Sequence, residues 1–531
     1  MNFIVGSGPA GVAAAMALVR RGLQVTLLDG GGELEPERRL AVDNLRAMDS
    51  SRWRGDAVSF LRHATVPDRK GIGTKHNFGS DYPFRDADRL LGIEKKGCDT
   101  TASLGVGGFS AVWGATVLPY LTSDTADWPF PIADLAPHYR EVLSFVDLSA
   151  VEDDLAAAFP LHTHRRDALR MSGQAAALLR DMQARREPLR AEGISFGTAR
   201  VAVRAATRGG KPGCVYCGLC MYGCPNGLIY SAAATLEILE ANPLFRRVPG
   251  VIVDCLRETP TQEVEITGRQ REGGASVAFR ASRVYLAAGA ISSTRILLRS
   301  LGAYGRPVTL KDSQYFLFPL LRYAGQPGVR GEALHTLSQV FLEICDPAIS
   351  EHTVHIQVYT YNDLYAGALR KSFGRAARLA EPAMGPLLSR LLIMQGYLHS
   401  NHSPTIAMTL ERRPSGIDAL ALEGFSNRAA GTDAMLRRVV RKISRNGFRL
   451  KALPLGFLLH KTAPGRGYHS GGTFPMRRSP GEFESDVLGR PRGFERVHVV
   501  DATVFPSIPA TTITFSMMAN AHRIATQAPD G

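Results

Sequence analysis

Nothing in this chain approaches the roughly 18 consecutive apolar residues that span a bilayer, so no transmembrane helix is predicted from its 531 residues. Internal repeats and low-complexity tracts are also missing. No Lys/Arg run is interleaved with aromatics of the kind that grips single strands, and nucleic acid is not an expected partner. A buried strand opens at residue 2 and leaves no room for the apolar core of a signal peptide. On that ground the chain as given is expected in the cytoplasm. A secreted disulfide framework is excluded by the cysteines: seven is an odd number, and four of them crowd between Cys214 and Cys224. Reduced thiols are expected.

What is present is a globular composition, 45% hydrophobic and 21% charged, in a chain long enough for more than one domain. The net charge is +14, and the cations concentrate in the second half. Residues 436–451, LRRVVRKISRNGFRLK, set apolar side chains at helical spacing with cations between them. The plain reading is a surface helix with a basic face. The sharper one is weak contact with an anionic membrane surface or a phosphorylated substrate carrier.

The first thirty residues organise the rest. Asn2–Val5 is a short apolar run and reads as a buried strand. Gly6-Ser7-Gly8-Pro9-Ala10-Gly11 follows, then an Ala-rich helical segment over 12–20 and a second apolar run over 24–28, closing on Asp29. In this strand–turn–helix–strand frame Gly6 makes a tight turn, Gly8 lets backbone approach a pyrophosphate, and Gly11 packs helix on strand. The pyrophosphate would sit on the helix N-terminus, and Asp29 stands where a carboxylate accepts from a ribose diol. The motif by itself fits NAD or FAD.

Further along, residues 30–100 read as polar and irregular. The loop Ser103 to Gly114 holds Gly105, Gly107, Gly108 and Gly114 beside Ser110 and Trp113, a density that implies backbone lying against something flat or anionic. Residues 126–190 read as helices, and 264–266 with 277–279 as a hairpin. A buried strand over 283–286 runs into Ala287-Ala288-Gly289-Ala290 and a helix, a second strand–glycine–helix junction that predicts a return to the first sheet. Residues 335–344, 353–361 and 405–411 alternate at period two and predict half-exposed antiparallel strands. One face of the middle segment carries His355, Gln357, Tyr359 and Tyr361, which suits a substrate pocket or an ordinary wet face. The chain closes on Tyr468-His469-Ser470-Gly471-Gly472, then Val500-Asp501-Ala502, then a helix over 514–527.

Four blocks, in order, resemble the glucose–methanol–choline (GMC) family of FAD-dependent oxidoreductases: Gly6 to Gly11, Gly107 to Gly114, Ala287 to Ala290, and the closing pair around His469 and Asp501. The resemblance implies an α/β (α+β overall) fold with a Rossmann-like FAD-binding domain on a parallel sheet and a substrate domain on an antiparallel sheet. The expected division is 1–125, 191–300 and 460–531 for FAD, with a Cys-rich insertion at 204–230, and 126–190 with 301–459 for substrate. FAD rather than NAD is implied, with Gly6, Gly8, Gly11, Asp29, Gly107, Gly108, Ser110, Trp113, Gly114, Ala288, Gly289, Asp501 and Ala502 around it. His469 takes the family's catalytic histidine position, as the base for a hydroxyl proton while hydride leaves the carbinol carbon. The family's second catalytic position, usually Asn or His, falls on Thr512, which hydrogen-bonds but is no base at neutral pH. His460, His498 and His522 are the alternatives for that role.

Cys214, Cys217, Cys220 and Cys224, followed by Pro225, repeat the spacing of a bacterial ferredoxin run. One cluster would use these four, or three of them with Cys98, Cys255 or Cys345; zinc and free thiols are the other readings. Some dehydrogenases resembling this chain carry an iron–sulfur cluster at the corresponding place, so a 4Fe-4S or 3Fe-4S centre is expected beside FAD. The combined expectation is a dehydrogenase of an alcohol or sugar hydroxyl, lipid- or phosphate-linked substrates included, passing electrons through the cluster to an acceptor protein or quinone. An oxygen-using oxidase with structural zinc or free thiols is the first alternative. A catalytically weak flavin-binding scaffold is the second.

Overall fold

A computed structural model describes residues 1–64, 75–165, 167–372, 377–414, 416–425 and 429–529. Asn2–Val5 is buried at every position, as an apolar run without alternation requires of an interior parallel strand. It pairs in parallel with Val25–Leu28 and with Arg283–Leu286. Phe245–Val248 extends the sheet beyond the former and Val497–Val499 beyond the latter, both parallel. The predicted return of the late junction to the first sheet is therefore observed. Helix Pro9–Arg20 buries Ala10, Ala13, Ala14 and Ala17, small side chains that let helix Ile513–Gln527 pack closely across it.

An antiparallel sheet forms the second layer system. Its order is Ala452–Pro454, Tyr315–Arg322, Leu391–Tyr397, Val354–Tyr359, Val340–Ile344, Ile194–Thr198, with His460–Lys461 also paired to Tyr315–Arg322. Its own core gathers Leu178, Phe316, Phe318, Ile356 and Met394 with Leu436, Val439 and Ile443 of helix Ala429–Arg445. A third sheet joins Ser470–Gly471, Val308–Asp312, Thr405–Glu411, Ala419–Phe425 and Ile93–Lys96.

Several expectations need correction. Val340–Ile344 and Val354–Tyr359 are buried at every position, not half exposed. Their polar residues face one another and the protein interior: His355 Nδ1 lies 2.7 Å from Glu343 Oε1, and Gln357 Nε2 donates to Thr116 Oγ1 at 3.3 Å. Residues 30–100 are not merely irregular but include helices Pro36–Arg46 and Gly55–Arg62, hidden in the sequence by charged exposed faces. Among the described residues of 126–190 the helices are Ala136–Val142, Gly173–Gln183 and the start of Arg186–Ala191, besides 3-10 turns. Ile194–Thr198, allotted to the FAD segment, pairs antiparallel with Val340–Ile344 instead. The hairpin is present, as Val264–Gln270 with Ser276–Ala281. Among the described residues no helix is long and apolar enough to cross a membrane.

Candidate functional site

One cavity of 1490 Å³ runs from Gly6, Gly8 and Asp29 past Gly108, Trp113 and Gly114 to His469 and Thr512. Its first end is built from backbone. Gly8 caps helix Pro9–Arg20 with no side chain bonded to the free N–H groups of the first turn, which suits an anion there. A Cβ on Gly8 would meet no protein atom within 4 Å, so the space beside it is open. Gly6, at φ +107°, leaves no such space: a Cβ would stand 2.4 Å from the Ala287 carbonyl oxygen. The two glycine junctions foreseen in the sequence thus pack on each other. Gly11 and Gly107 do not line the cavity; Gly11 lies so close to Gly6 that a Cβ would fall 1.9 Å from its oxygen, and the Gly107 amide donates to Ser7 Oγ at 3.2 Å.

Asp29 borders the cavity, but its oxygens already accept from the Gly31 amide at 2.9 Å and from Arg247 Nε at 3.0 Å. Arg247 had no signal in the sequence, because its strand, Phe245–Val248, is short and irregular in pattern. Ala288, Gly289, Asp501 and Ala502 all line the cavity. Asp501 accepts from Gly289 N at 2.8 Å, Ser293 Oγ at 2.6 Å and Thr503 N at 2.9 Å, and so caps the helix that begins at Ala290. Ser110 is also at the wall; its hydroxyl donates to Gly107 O at 2.5 Å and accepts from Ala232 N at 2.8 Å, which fixes the glycine loop. Trp113 donates through Nε1 to Tyr230 O at 2.8 Å, and its carbonyl accepts from Lys75 Nζ at 2.8 Å. Burial pushes Lys75 down to about 8.

The far end is aromatic and amide-rich. Tyr315, Tyr359, Tyr365, Tyr397, Gln357 and Gln395 line it, so Gln357 and Tyr359 of the alternating segment do face a pocket, while His355 lies behind them. Tyr397 stacks on His469 with centroids 4.6 Å apart and on Tyr315 at 5.2 Å. His469 sits after Tyr468, whose backbone is left-handed at φ +55° and whose ring lies 5.3 Å from that of Phe109. Its Nδ1 is buried with no hydrogen-bond partner. Burial, with a smaller contribution from His355, pushes the imidazole down to about 3, so it is neutral at working pH. Thr512 accepts from Leu118 N at 3.1 Å, which leaves its hydroxyl proton free to donate. Among the alternatives, His460 lines the cavity. His498 and His522 do not: His498 Nε2 lies 3.0 Å from Arg283 Nη1, and His522 Nδ1 lies 2.9 Å from His138 Nδ1.

The strip that carries His469 is tied down on both sides. Gly472 N donates to Ala502 O at 2.8 Å and Phe474 N to Thr503 O at 3.0 Å, joining the two closing blocks. On the other side the buried Asp312 carboxyl accepts from Ser470 Oγ at 2.7 Å and Gly465 N at 2.8 Å. Burial pushes Asp312 up to about 7. A carboxyl whose folded pKa is raised stabilises the fold below its unfolded value and loses that contribution as pH rises through the folded value. Relative to wild type, Asp312→Asn should therefore gain stability between pH 4 and 7, on the order of 4 kcal/mol in all. Paired denaturant titrations across that range check it, and a pH-independent difference refutes it.

The cysteine run lies beside this site but is not arranged as a ligand cage. Cys214, Cys217, Cys220 and Cys224 border one small void with His335. Cys214 Sγ accepts from the Tyr216 amide and Cys224 Sγ from the Leu228 amide. Burial pushes Cys214 and Cys217 up to about 12. Among the described residues no group of three or more His, Cys, Asp or Glu is placed to hold a metal ion. The expected iron–sulfur centre draws no support from this geometry. The seven cysteines are free thiols.

The cavity's first end has the shape and donors of a dinucleotide cradle, and comparison with known proteins agrees. Residues 2–108 match the FAD binding domain family. FAD is thus the cofactor to which the cradle corresponds. Among curated proteins, the chain is 27% identical over 343 residues to 6'''-hydroxyparomomycin C oxidase of Streptomyces lividus, covering 59% of this chain and 54% of that protein. It is 26% identical over 339 residues to paromamine 6'-oxidase of Streptomyces fradiae, with the same coverage. The chain spans about half the length of the curated relatives it matches. Among solved structures, pyridoxine 4-oxidase from Mesorbium loti superposes with a TM-score of 0.59 at 15% identity, over 99% of this chain and 98% of that one. Formate oxidase gives 0.60 at 13% identity, over 99% and 97%. These two likenesses speak to the fold.

Proposed function

We propose that the protein is a GMC-type, FAD-dependent oxidoreductase that oxidises a CH–OH group of a small hydroxylated substrate such as a sugar. The observation that carries this reading is one continuous cavity, which joins the dinucleotide cradle at Gly8 to the neutral imidazole of His469. Bound FAD supplies a hydride acceptor. Gly6, Gly8, Asp29, Ala288, Gly289, Asp501 and Ala502 would hold it, together with Gly108, Ser110, Trp113 and Gly114 of the glycine loop.

His469 accepts the proton of the substrate hydroxyl on a ring nitrogen. Its stack on Tyr397 fixes the plane of the ring, and the strip 470–474 fixes its position. Thr512 donates to the substrate oxygen, since its own oxygen is engaged by Leu118 N. The tyrosines supply apolar faces and Gln357 and Gln395 supply amide donors and acceptors, a combination suited to a polyhydroxylated ring. The carboxylate at this end, Asp363, is paired with Arg62 at 3.1 Å, so a neutral substrate meets no uncompensated charge from it.

Oxygen is the acceptor this reading favours over a cluster-linked relay, because both curated relatives are oxidases by name. The test is a panel of alcohols and sugars mixed with the purified holoprotein, first without oxygen and then in air. Loss of flavin colour without oxygen, followed in air by peroxide in step with carbonyl product, supports the reading. Flavin bleaching without peroxide, reversed only by an artificial acceptor, overturns the oxidase half. No bleaching by any hydroxyl compound overturns the whole.

A further inference from the structure

Large apolar side chains are unevenly exposed on this protein. Of the thirteen most exposed among the described residues, five (Tyr323, Phe448, Leu453, Phe457 and Leu458) fall in one unit. That unit is the turn after helix Ala429–Arg445, strand Ala452–Pro454, and the single 3-10 turn Gly456–Leu458. Tyr323 belongs to it because its amide donates to Lys451 O at 3.0 Å. Phe457 is 84% exposed, yet the turn that carries it is held firmly: Leu455 N donates to Pro319 O at 2.9 Å and Leu458 N to Leu455 O at 2.9 Å. Large apolar side chains gathered in solvent on one element mark an interaction site.

The neighbouring helix supplies charge of one sign. Its buried side is Met435, Leu436, Val439 and Ile443. On the opposite side Arg437, Arg438, Arg441 and Arg445 are all exposed. These four make no ion pair or hydrogen bond among the described residues. The other cations of this segment are neutralised: Lys442 by Glu192 at 2.8 Å and Asp346 at 2.9 Å, Arg449 by Glu192 at 3.6 Å, Lys451 by Asp181 at 2.9 Å. The apolar turn and the arginine face adjoin. A Cβ on Gly456 would stand 2.3 Å from Val440 Cγ1, and Val440 lies on the helix edge one turn from Arg437.

We propose that this surface docks on an anionic phospholipid bilayer, with Phe457 and Leu458 entering the interface and the arginine face lying over lipid phosphates. Apolar side chains rimmed by unpaired cations are what an interfacial element needs. Charge complementarity selects this occupant. A second copy of the chain would bring two sets of four unpaired arginines together across a two-fold interface, whereas an anionic surface neutralises them. The surface also adjoins the cavity: His460, two residues beyond Leu458, lines it and pairs with Leu317, another lining residue. The proposed docking face therefore lies beside one wall of the cavity. The docking rests on surface residues alone and stands or falls separately from the oxidoreductase reading.

The experiment is flotation of the full-length holoprotein with vesicles of phosphatidylcholine alone and of phosphatidylcholine mixed with phosphatidylglycerol. Binding is expected only to the anionic vesicles and should weaken as salt rises. The double variant Arg437→Glu/Arg441→Glu should bind at least about thirty-fold more weakly. Phe457→Ser/Leu458→Ser should also release the protein, with melting temperature and flavin content unchanged. A Phe457→Trp variant should lose fluorescence to brominated lipid, which reports insertion directly. Equal binding to neutral vesicles, no binding to either, a dimer dissolved by Phe457→Ser, or displacement from lipid by RNA at equal charge would each overturn the proposal. Turnover of a soluble alcohol, measured on the same variants without vesicles, separates this outcome from any failure of the catalytic reading.

Discussion

Replacing His469 with alanine is expected to cut turnover by about 10²–10⁴-fold, the usual worth of a positioned general base, while FAD content stays at the wild-type level. The cofactor prediction follows from geometry: His469 stands at the aromatic end of the cavity, away from the cradle at Gly8 and Asp29. The pH profile tests the same assignment from another side. Because burial pushes His469 down to about 3, the imidazole stays neutral through the acid range. No fall in rate near the ordinary histidine pKa of about 6.5 should arise from it. Added imidazole should restore part of the activity of the alanine variant, since the lost side chain leaves space beside Tyr397. Thr512→Val makes a useful contrast. It removes one donor to substrate and leaves the Leu118 amide without its acceptor, so a loss near tenfold and a stability cost of about 1–3 kcal/mol are expected. A His469→Ala enzyme with near-normal turnover would move the proton-accepting role to another cavity residue, with His460 first in line.

The opening pair of parallel strands and the glycine turn between them were legible from the chain because their signals are local. An apolar run of four residues, a glycine turn, an alanine-rich helix and a second apolar run lie within thirty residues, and the two strands pair directly. His469 and Asp501 were legible for a related reason: each sits in a short block whose backbone bonds to the other, Gly472 to Ala502 and Phe474 to Thr503. What the sequence hid is long-range. Arg247 reaches Asp29 and Lys75 reaches the Trp113 carbonyl across wide separations in the chain, and neither position belongs to a pattern. The alternating strands Val340–Ile344 and Val354–Tyr359 misled because period two reports two different faces, not that one of them is wet. Here the polar face is closed by its own partners, His355 on Glu343 and Gln357 on Thr116. The cysteine run is a different case. Spacing fixes how far apart sulfurs lie along the chain but not whether they converge on a metal, and among the described residues no group of three or more His, Cys, Asp or Glu is placed to hold one.

Two glycine substitutions separate the parts of the cradle. Gly8→Val should fold as wild type without cofactor, since a Cβ at Gly8 meets no protein atom within 4 Å and its φ is −69°, open to any residue. The same side chain would occupy the space over the first turn of helix Pro9–Arg20, where the pyrophosphate is to lie. FAD affinity should drop by at least about 100-fold, roughly 2.7 kcal/mol. Gly11→Ala tests the opposite case. Its Cβ would fall 1.9 Å from the Gly6 oxygen, and the atom in the way is backbone at the junction with Ala287, so no side-chain rotation relieves it. The helix must move off the sheet, at a cost beyond the ~1–3 kcal/mol of ordinary overpacking. This variant should lose melting temperature even without cofactor, and flavin binding with it. Measuring apoprotein melting temperature and flavin occupancy for both variants places each glycine: cofactor loss alone marks a cradle position, and loss of both marks a packing position. If Gly8→Val retained full occupancy, the dinucleotide would have to run elsewhere in the cavity, and the role of the first-turn amides would be lost with it.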